Sequence, residues 1–405
     1  MFDGAAVIHM LNPGIATTFS GYYELIFKPY FSNQLKNSSR IDIVFDRYIS
    51  NSLKAGTRES RGSGISIKVS DSTAIPKKIK QFLCVDENKT QLFQLLAKKM
   101  VEDLQYPGKQ VVCTYDDQVL TSTTMDVSSI SPASHEEADG RLLLHVKHAV
   151  ESGHTCILIR TVDSDVVVIS ISLFPQILGI DELWIEYGCG KYRKFIPIHE
   201  ICTTLSPEIC RNLLAFHSVT GCDTVSTFCG IGKKTSWKVW MSFREIDCVW
   251  NQLCTGTSDI DDECHNLLQR FIVLLYDKTS DIQNINECRR VLFTRKNRAI
   301  ENIPPTADAL RQHIKRAAFQ ARILNNSLDS QYTVPSPTNW GWSQTSEGSY
   351  QPVWTTIPEV SKHSVELTSC TCRKRCTSEK CKCVKMGVRC TKLCVCEGQC
   401  SESDW

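Results

Sequence analysis

The chain lacks a long apolar run, a strong net charge and an internal repeat. None of its apolar stretches approaches the roughly 20 residues a membrane-spanning helix needs, which excludes an integral helical membrane protein. The start, Met1-Phe2-Asp3, has no basic-then-apolar layout of a secretory signal. The expectation is therefore a soluble, intracellular protein with no membrane partner. With 46 Lys and Arg against 44 Asp and Glu, the net charge is only +2, so the placement of charge and not its sum has to point to a partner. The absence of a repeat excludes a solenoid, and no motif for a small organic cofactor stands out. What remains is ordinary globular protein: 405 residues, 42% hydrophobic and 22% charged, enough for two or three domains.

The 21 cysteines are unevenly spread. Twelve lie between residues 1 and 369, mostly among apolar neighbours, where they act as small hydrophobes in a reducing compartment. Nine crowd into residues 370–400 and need a different explanation.

Residues 1–300 alternate short β-branched runs with amphipathic stretches, the pattern of an α/β domain with a mainly parallel sheet. Strands are expected at 40–45, 110–115 and 155–160, and a β-hairpin over 183–198 around Gly188-Cys189-Gly190-Lys191. Ser134-His135-Glu136-Glu137 reads as a capping box opening a helix. Further helices should start at Ser206-Pro207 and at Thr306, the latter a helical extension over 301–324. Residues 325–369 turn rich in Ser, Thr, Pro and Gln with isolated Trp340, Trp342 and Trp354, an extended linker with a few aromatic anchors.

Seven acids recur where these strands end or helices begin: Asp3, Asp46, Glu137, Asp139, Asp163, Asp165 and Asp223. In an open parallel sheet ligands gather at the carboxyl ends of strands. Carboxylates converging there repel one another unless cations neutralise them, which points to two Mg²⁺ or Mn²⁺ ions, the device that clamps attacking and leaving oxygens in phosphodiester hydrolysis. Taken singly, each acid has a blander reading: Glu137 as the capping-box acid, Asp163-Ser164-Asp165 as a turn, Asp46 as a strand terminator.

At these residues the chain resembles the flap endonuclease family of structure-specific nucleases. Glu137-Ala138-Asp139 is similar to that family's Glu-Ala-Glu motif, Asp163-Ser164-Asp165 to its Asp-x-Asp pair and Gly221-Cys222-Asp223 to its Gly-x-Asp. Gly230-Ile231-Gly232-Lys233-Lys234 resembles the Gly-Ile-Gly turn of a helix-two-turn-helix, here over about 206–245. Asp3 and Asp46 look like the two N-terminal metal aspartates, and Lys54 and Arg61 like the basic pair on the scissile phosphate. The resemblance covers about residues 1–245 and implies a PIN-like α/β fold, flanked by helices, that cuts DNA. Asp139 stands where the family has Glu, and the first strand is cut short or missing ahead of Asp3. Gly-Cys-Asp together with Gly-Lys-Lys-Thr also resembles multicopy, transposon-associated metazoan sequences.

Basic residues sit where such a nuclease needs them. Residues 47–80 carry eight Lys and Arg against Glu59 and Asp71, a cationic arch over a single strand or a solvated loop. Gly230 and Gly232 shape a turn whose amides can bind phosphate, with Lys233, Lys234 and Lys238 adding charge toward DNA.

The tail cysteines, Cys370, Cys372, Cys376, Cys381, Cys383, Cys390, Cys394, Cys396 and Cys400, are odd in number, so disulfides alone leave a thiol over. Three tetrahedral Zn²⁺ need twelve sulfur positions, which nine thiolates supply if three of them bridge. The spacing resembles the CXC zinc module of tesmin-like proteins, over about 31 residues, and eight Lys and Arg against Glu379 and Glu397 suggest a DNA-phosphate surface. A metallothionein-like or redox tail is the alternative. The function expected is a nuclear, metal-dependent nuclease tethered to DNA by this tail; the alternative is a nucleic-acid-binding protein without turnover, whose working module is the tail.

Overall fold

The computed structural model describes the chain except residues 60–63, 259, 295–299, 358–368, 373–375, 377–380, 392–393 and 397–405. It divides into two compact units, Met1–Trp354 and Thr355–Trp405. Among the described residues no helix is long and apolar enough to cross a membrane.

The first unit is built on a seven-stranded sheet: β1 Phe2–Asp3, β2 Arg40–Val44, β3 Gln110–Tyr115, β4 Gln118–Thr121, β5 Cys156–Thr161, β6 Glu182–Tyr187 and β7 Lys194–Pro197. Their order is β4-β3-β2-β1-β5-β6-β7, with the central five parallel and the two edge strands antiparallel. β2 is buried at every position, as a strand covered on both faces must be. β1 is two residues long yet pairs on both sides, Asp3 beside Val44 and Phe2 beside Arg160. The strand expected to be cut short or missing is therefore short, but it is present and central.

The helices that matter for the site are α1 Gly4–Met10, α2 Leu53–Glu59, α3 Asp86–Asp103, α4 Ala138–Glu151, α5 Ser164–Leu173, α6 Pro207–Val219, α7 Lys233–Ser242, α8 Asp247–Thr255, α9 Asp262–Tyr276 and α10 Ala307–Asn325. Ser206 caps α6 ahead of a proline in its first turn, and Thr306 caps α10. One core joins α4, α5, α6, α8, α9 and α10 to the sheet; a second, containing Phe2, Ile41, Ile43, Phe45, Phe27 and Phe31, fills the opposite face of β1–β3. Alternation along β2 makes the division: Ile41 and Ile43 enter one core, Val44 the other.

Two sequence expectations are corrected. Ser134 does not cap α4: its hydroxyl donates to Tyr332 O at 3.0 Å, and the helix starts three residues later with Glu137 in the capping position. The supposed linker is folded down as far as Trp354. Trp340 is buried against Phe319, ring centroids 5.8 Å apart, and Arg316 donates to Gly341 O at 3.2 Å and Val353 O at 2.6 Å between the rings of Trp342 and Trp354. Gly341, at φ +82°, lets the backbone close on α10, since a Cβ there would stand 2.7 Å from Gln312 O. A small antiparallel hairpin, β8 Trp342–Gln344 and β9 Tyr350–Pro352, completes the segment.

Candidate metal centres

β1, β2 and β5 are neighbours, and their carboxyl ends face one edge of the sheet where the chain's direction of travel across it reverses. Asp3 closes β1 and caps α1, its Oδ1 accepting from Ala6 N at 3.0 Å and its Oδ2 from Thr161 Oγ1 at 3.3 Å. Asp46 follows β2 and accepts the amide of Ala138 at 2.9 Å, which ties the start of α4 to the strand end. Glu137 and Asp139 arrive with α4, and Asp163, after β5, caps α5 by accepting from Asp165 N at 2.8 Å. Asp223 follows α6 in a tight turn closed by Cys222 and Val225.

Six of the seven acids, Asp3, Asp46, Glu137, Asp139, Asp163 and Asp223, line one cavity of about 210 Å³. They feel one another. Burial pushes the Asp3 carboxyl up to about 6, with Asp46 and Asp163 adding to the rise. Asp139 is driven well above the carboxylate range by burial and then by Asp163, Asp3 and Asp46; Asp163 is raised by burial, with Asp165 and Asp223 adding to it. Asp165 stands apart on the buried His217, 3.3 Å from its Nε2. Burial pushes the Asp165 carboxyl up, but this partner outweighs it, and the net shift is downward.

Lys54, on α2, is ion-paired with Glu137 and lies 3.3 Å from Asp223. Arg61 lies outside the described residues. Three groups not singled out from the sequence line the same cavity: Arg58, Lys89 and Tyr48. Arg58 sits one turn beyond Lys54 on α2, so the i, i+4 relation was its signal; it holds Asp86 at 2.7 Å and Glu136 at 2.8 Å. His217 carried no such signal, because only the docking of α6 brings it to Asp165.

Gly230 has φ +72°, and Gly232 precedes the first residue of α7. Lys233 is exposed along its side chain, but its ammonium donates to His217 O, Thr220 Oγ1 and Gly221 O at 2.8, 3.1 and 2.6 Å, closing the end of α6. Lys234 and Lys238 are exposed and stand outside the carboxylate cavity.

In the second unit, eight of the nine tail cysteines are described, and none of the eight is in a disulfide; Cys400 lies outside the described residues. Cys370, Cys376, Cys381, Cys383 and Cys394 are buried in a core made of little but sulfur. Three sets have all their sulfurs within 4.8 Å: Cys370 with Cys376, Cys390 and Cys396; Cys370 with Cys381, Cys383 and Cys390; and Cys370 with Cys372, Cys376 and Cys381. Four thiolates on one Zn²⁺ at about 2.3 Å define a tetrahedron with edges of about 3.8 Å. In the first set Cys370 lies 3.8, 3.7 and 3.8 Å from Cys376, Cys390 and Cys396, and Cys376 lies 3.7 and 3.8 Å from Cys390 and Cys396. These five separations match tetrahedral edges, so the cluster can hold a zinc-like ion. The sets share members, which is the arrangement bridging thiolates require. Cys394 packs on Cys383 at 3.6 Å. Of the tail's basic residues, Lys382, Lys385 and Arg389 are described and exposed.

Among the described residues only thiols gather within 4.8 Å in threes or fours; the carboxylates are more open. Their oxygen chemistry suits a hard divalent cation and their mutual repulsion calls for one, whereas soft sulfur ligands suit zinc. No family model matches the chain, and no curated protein matches it.

Proposed function

We propose that the first unit is a PIN-like, metal-dependent nuclease acting on phosphodiester bonds in nucleic acid, DNA first among them, and that the second unit is a CXC-type zinc module that tethers it to DNA. The observation that carries the first half is the convergence of six carboxylates, from five separate segments of a 220-residue span, on one cavity at the carboxyl edge of a parallel sheet. Asp3, Asp46, Glu137, Asp139, Asp163 and Asp223 would hold two Mg²⁺ or Mn²⁺ ions, which when bound supply an activated water and charge for the leaving oxygen, and Asp165 would join them by turning from His217. Lys54 and Arg58 supply positive charge on the same wall and are placed to orient a phosphate, and Lys54, held between Glu137 and Asp223, doubles as a counter-ion for the acids. α6 and α7, joined through Gly230 and Gly232, support the helix-two-turn-helix reading, with Lys234 and Lys238 as its outward cations.

The test is incubation of purified full-length protein with flap, bubble, single-stranded and duplex DNA and with RNA, with Mg²⁺, Mn²⁺ or chelator. Metal-dependent cleavage of any of these, lost in Asp163→Ala and Asp165→Ala, supports the reading; no cleavage under every condition removes it. The opening between the carboxylates favours a second reading, in which the cleft grips phosphate without turnover and the zinc tail is the working module. DNA binding without cleavage would select it.

A further inference from the structure

A second, larger cavity, of about 500 Å³, adjoins the carboxylate cavity, and the two share Lys54, Glu136, Glu137 and Thr224 as walls. Its remaining surface differs in character. The floor is the apolar side of α10, with Phe319, Ile323 and Leu324, and the facing wall is the folded-down segment that carries Tyr332, Val334 and Pro335. Its acids and its one lysine, Glu136, Glu137 and Lys54, all stand on the shared wall. The cavity thus joins an apolar floor, with uncharged polar groups such as Asn51, Ser327 and Ser336 among its walls, to the charged wall it shares with its neighbour. Its volume lies in the range of small-molecule sites, which are mainly apolar with a few convergent polar groups.

We propose that this cavity takes a nucleobase, that of the nucleotide whose phosphate lies against Lys54 and Arg58 in the neighbouring cavity. The inference rests on the nuclease reading for the identity of the phosphate and extends it: the enzyme grips an unstacked base beside the bond it cuts, which selects single-stranded or locally opened nucleic acid. A ligand with a flat, uncharged end and an anionic end fits the two linked cavities, and a nucleotide is such a ligand. Flat side chains, Tyr332 and Tyr350 with Pro335 and Pro337, suit the faces of a heterocycle better than a flexible acyl chain. Tyr332 is fixed from behind: its Oη accepts from Arg322 Nε at 2.8 Å, and the Ser134 hydroxyl and amide bond the backbone of Tyr332 and Ser330. These walls come from residues 319–350, outside the region that carries the family resemblance.

The experiment is calorimetric titration of the full-length protein with AMP, CMP and ribose 5-phosphate, with myristate as a rival apolar ligand. AMP or CMP should bind about tenfold more tightly than ribose 5-phosphate, in keeping with the contribution of one stacked base. Val334→Trp, which fills the cavity from a partly exposed position, should erase that preference, and Tyr350→Ala should reduce it; thermal melting checks that both variants are folded. Equal affinity for AMP, CMP and ribose 5-phosphate, a preference unchanged in both variants, or tighter binding of myristate overturns the inference. The nuclease reading fails separately: nucleotides that bind with base preference while no substrate is cut would remove the cleavage and leave the base pocket. Cleavage with no base preference would do the reverse.

Discussion

The carboxylate cavity and the thiol cluster are both crowds of like ligands, and they solve the crowding differently. In the first unit the scaffold exists without the ligand. Two large apolar cores hold the strand ends in place, so the acids are forced together; burial first and then their mutual repulsion raise the carboxyls of Asp3 and Asp139, and Lys54 partly relieves Asp139. In the second unit the ligands are the scaffold. Its core is five buried cysteines, and nothing apolar of comparable size surrounds them among the described residues. Metal should therefore adjust the first unit and create the second.

The largest effect expected follows directly. A strong chelator added to full-length protein under reducing conditions should expose residues 370–400 to protease while Met1–Trp354 stays resistant. A tail that keeps its protection without metal would erase the contrast between the units. Native mass spectrometry should find close to three Zn²⁺ per chain, and a limit of one would leave no room for bridging thiolates.

Next in size are the acids. Partners that merely orient a metal ligand cost about 10–100-fold when removed, so Asp163→Ala should lower cleavage by at least that factor. Binding of DNA in chelator should change little, because the lost negative charge also eases repulsion of phosphate. Near wild-type cleavage in the Asp163→Ala, Asp165→Ala double variant would reduce this pair to a turn.

The fold itself can be probed at Trp340. Trp340→Ala should cost the first unit about 3–4 kcal/mol, as large-to-small changes in a core do, measured by urea denaturation. A cost below about 1 kcal/mol would return residues 325–354 to the status of a linker.

Much of this was legible in sequence and some was not. The strand Gln110–Tyr115 and the hairpin after Leu183 could be read because their β-branched periodicity is local. The acids could be read because their order along the chain carries a pattern independent of fold. The packing of the Trp-bearing segment could not: its polar composition argues for a linker, and three tryptophans closing on Arg316, Arg322 and Phe319 outweigh that composition only once α10 is in place. The bonds of the Lys233 ammonium were not legible for the same reason, since the carbonyls it closes come from the end of another helix.

A smaller effect sharpens the comparison from the side of pH. Asp3 has an ordinary carboxyl value of 3.8 and is raised to about 6 in the fold. Between those values the native chain holds a proton that the unfolded chain has released, so this group favours the fold at low pH and opposes it in full above about 6. Asp3→Asn keeps an oxygen to cap α1 and removes the charge. In chelator at pH 8 it should stabilise the first unit by about 2 kcal/mol, an advantage that fades on acidification below about pH 4. Saturating Mg²⁺ should narrow the gap, because the ion stabilises the wild type more. Destabilisation of the variant in chelator would show that the acids are not under mutual strain.

The place of β1 has a consequence for how the molecule comes into being. Two residues, Phe2 and Asp3, bridge the halves of the sheet, and their second neighbour is Arg160. That strand cannot be sandwiched until β5 has been made, and the last acid of the cavity lies 220 residues beyond Asp3. At about 5–20 residues per second, synthesis leaves the segment waiting for roughly 10–40 s. Contacts this distant in sequence also make for slow closure once the chain is complete. The cleft is thus a late product of folding, and a chain interrupted before Asp223 has the sheet's centre but no complete charge cluster.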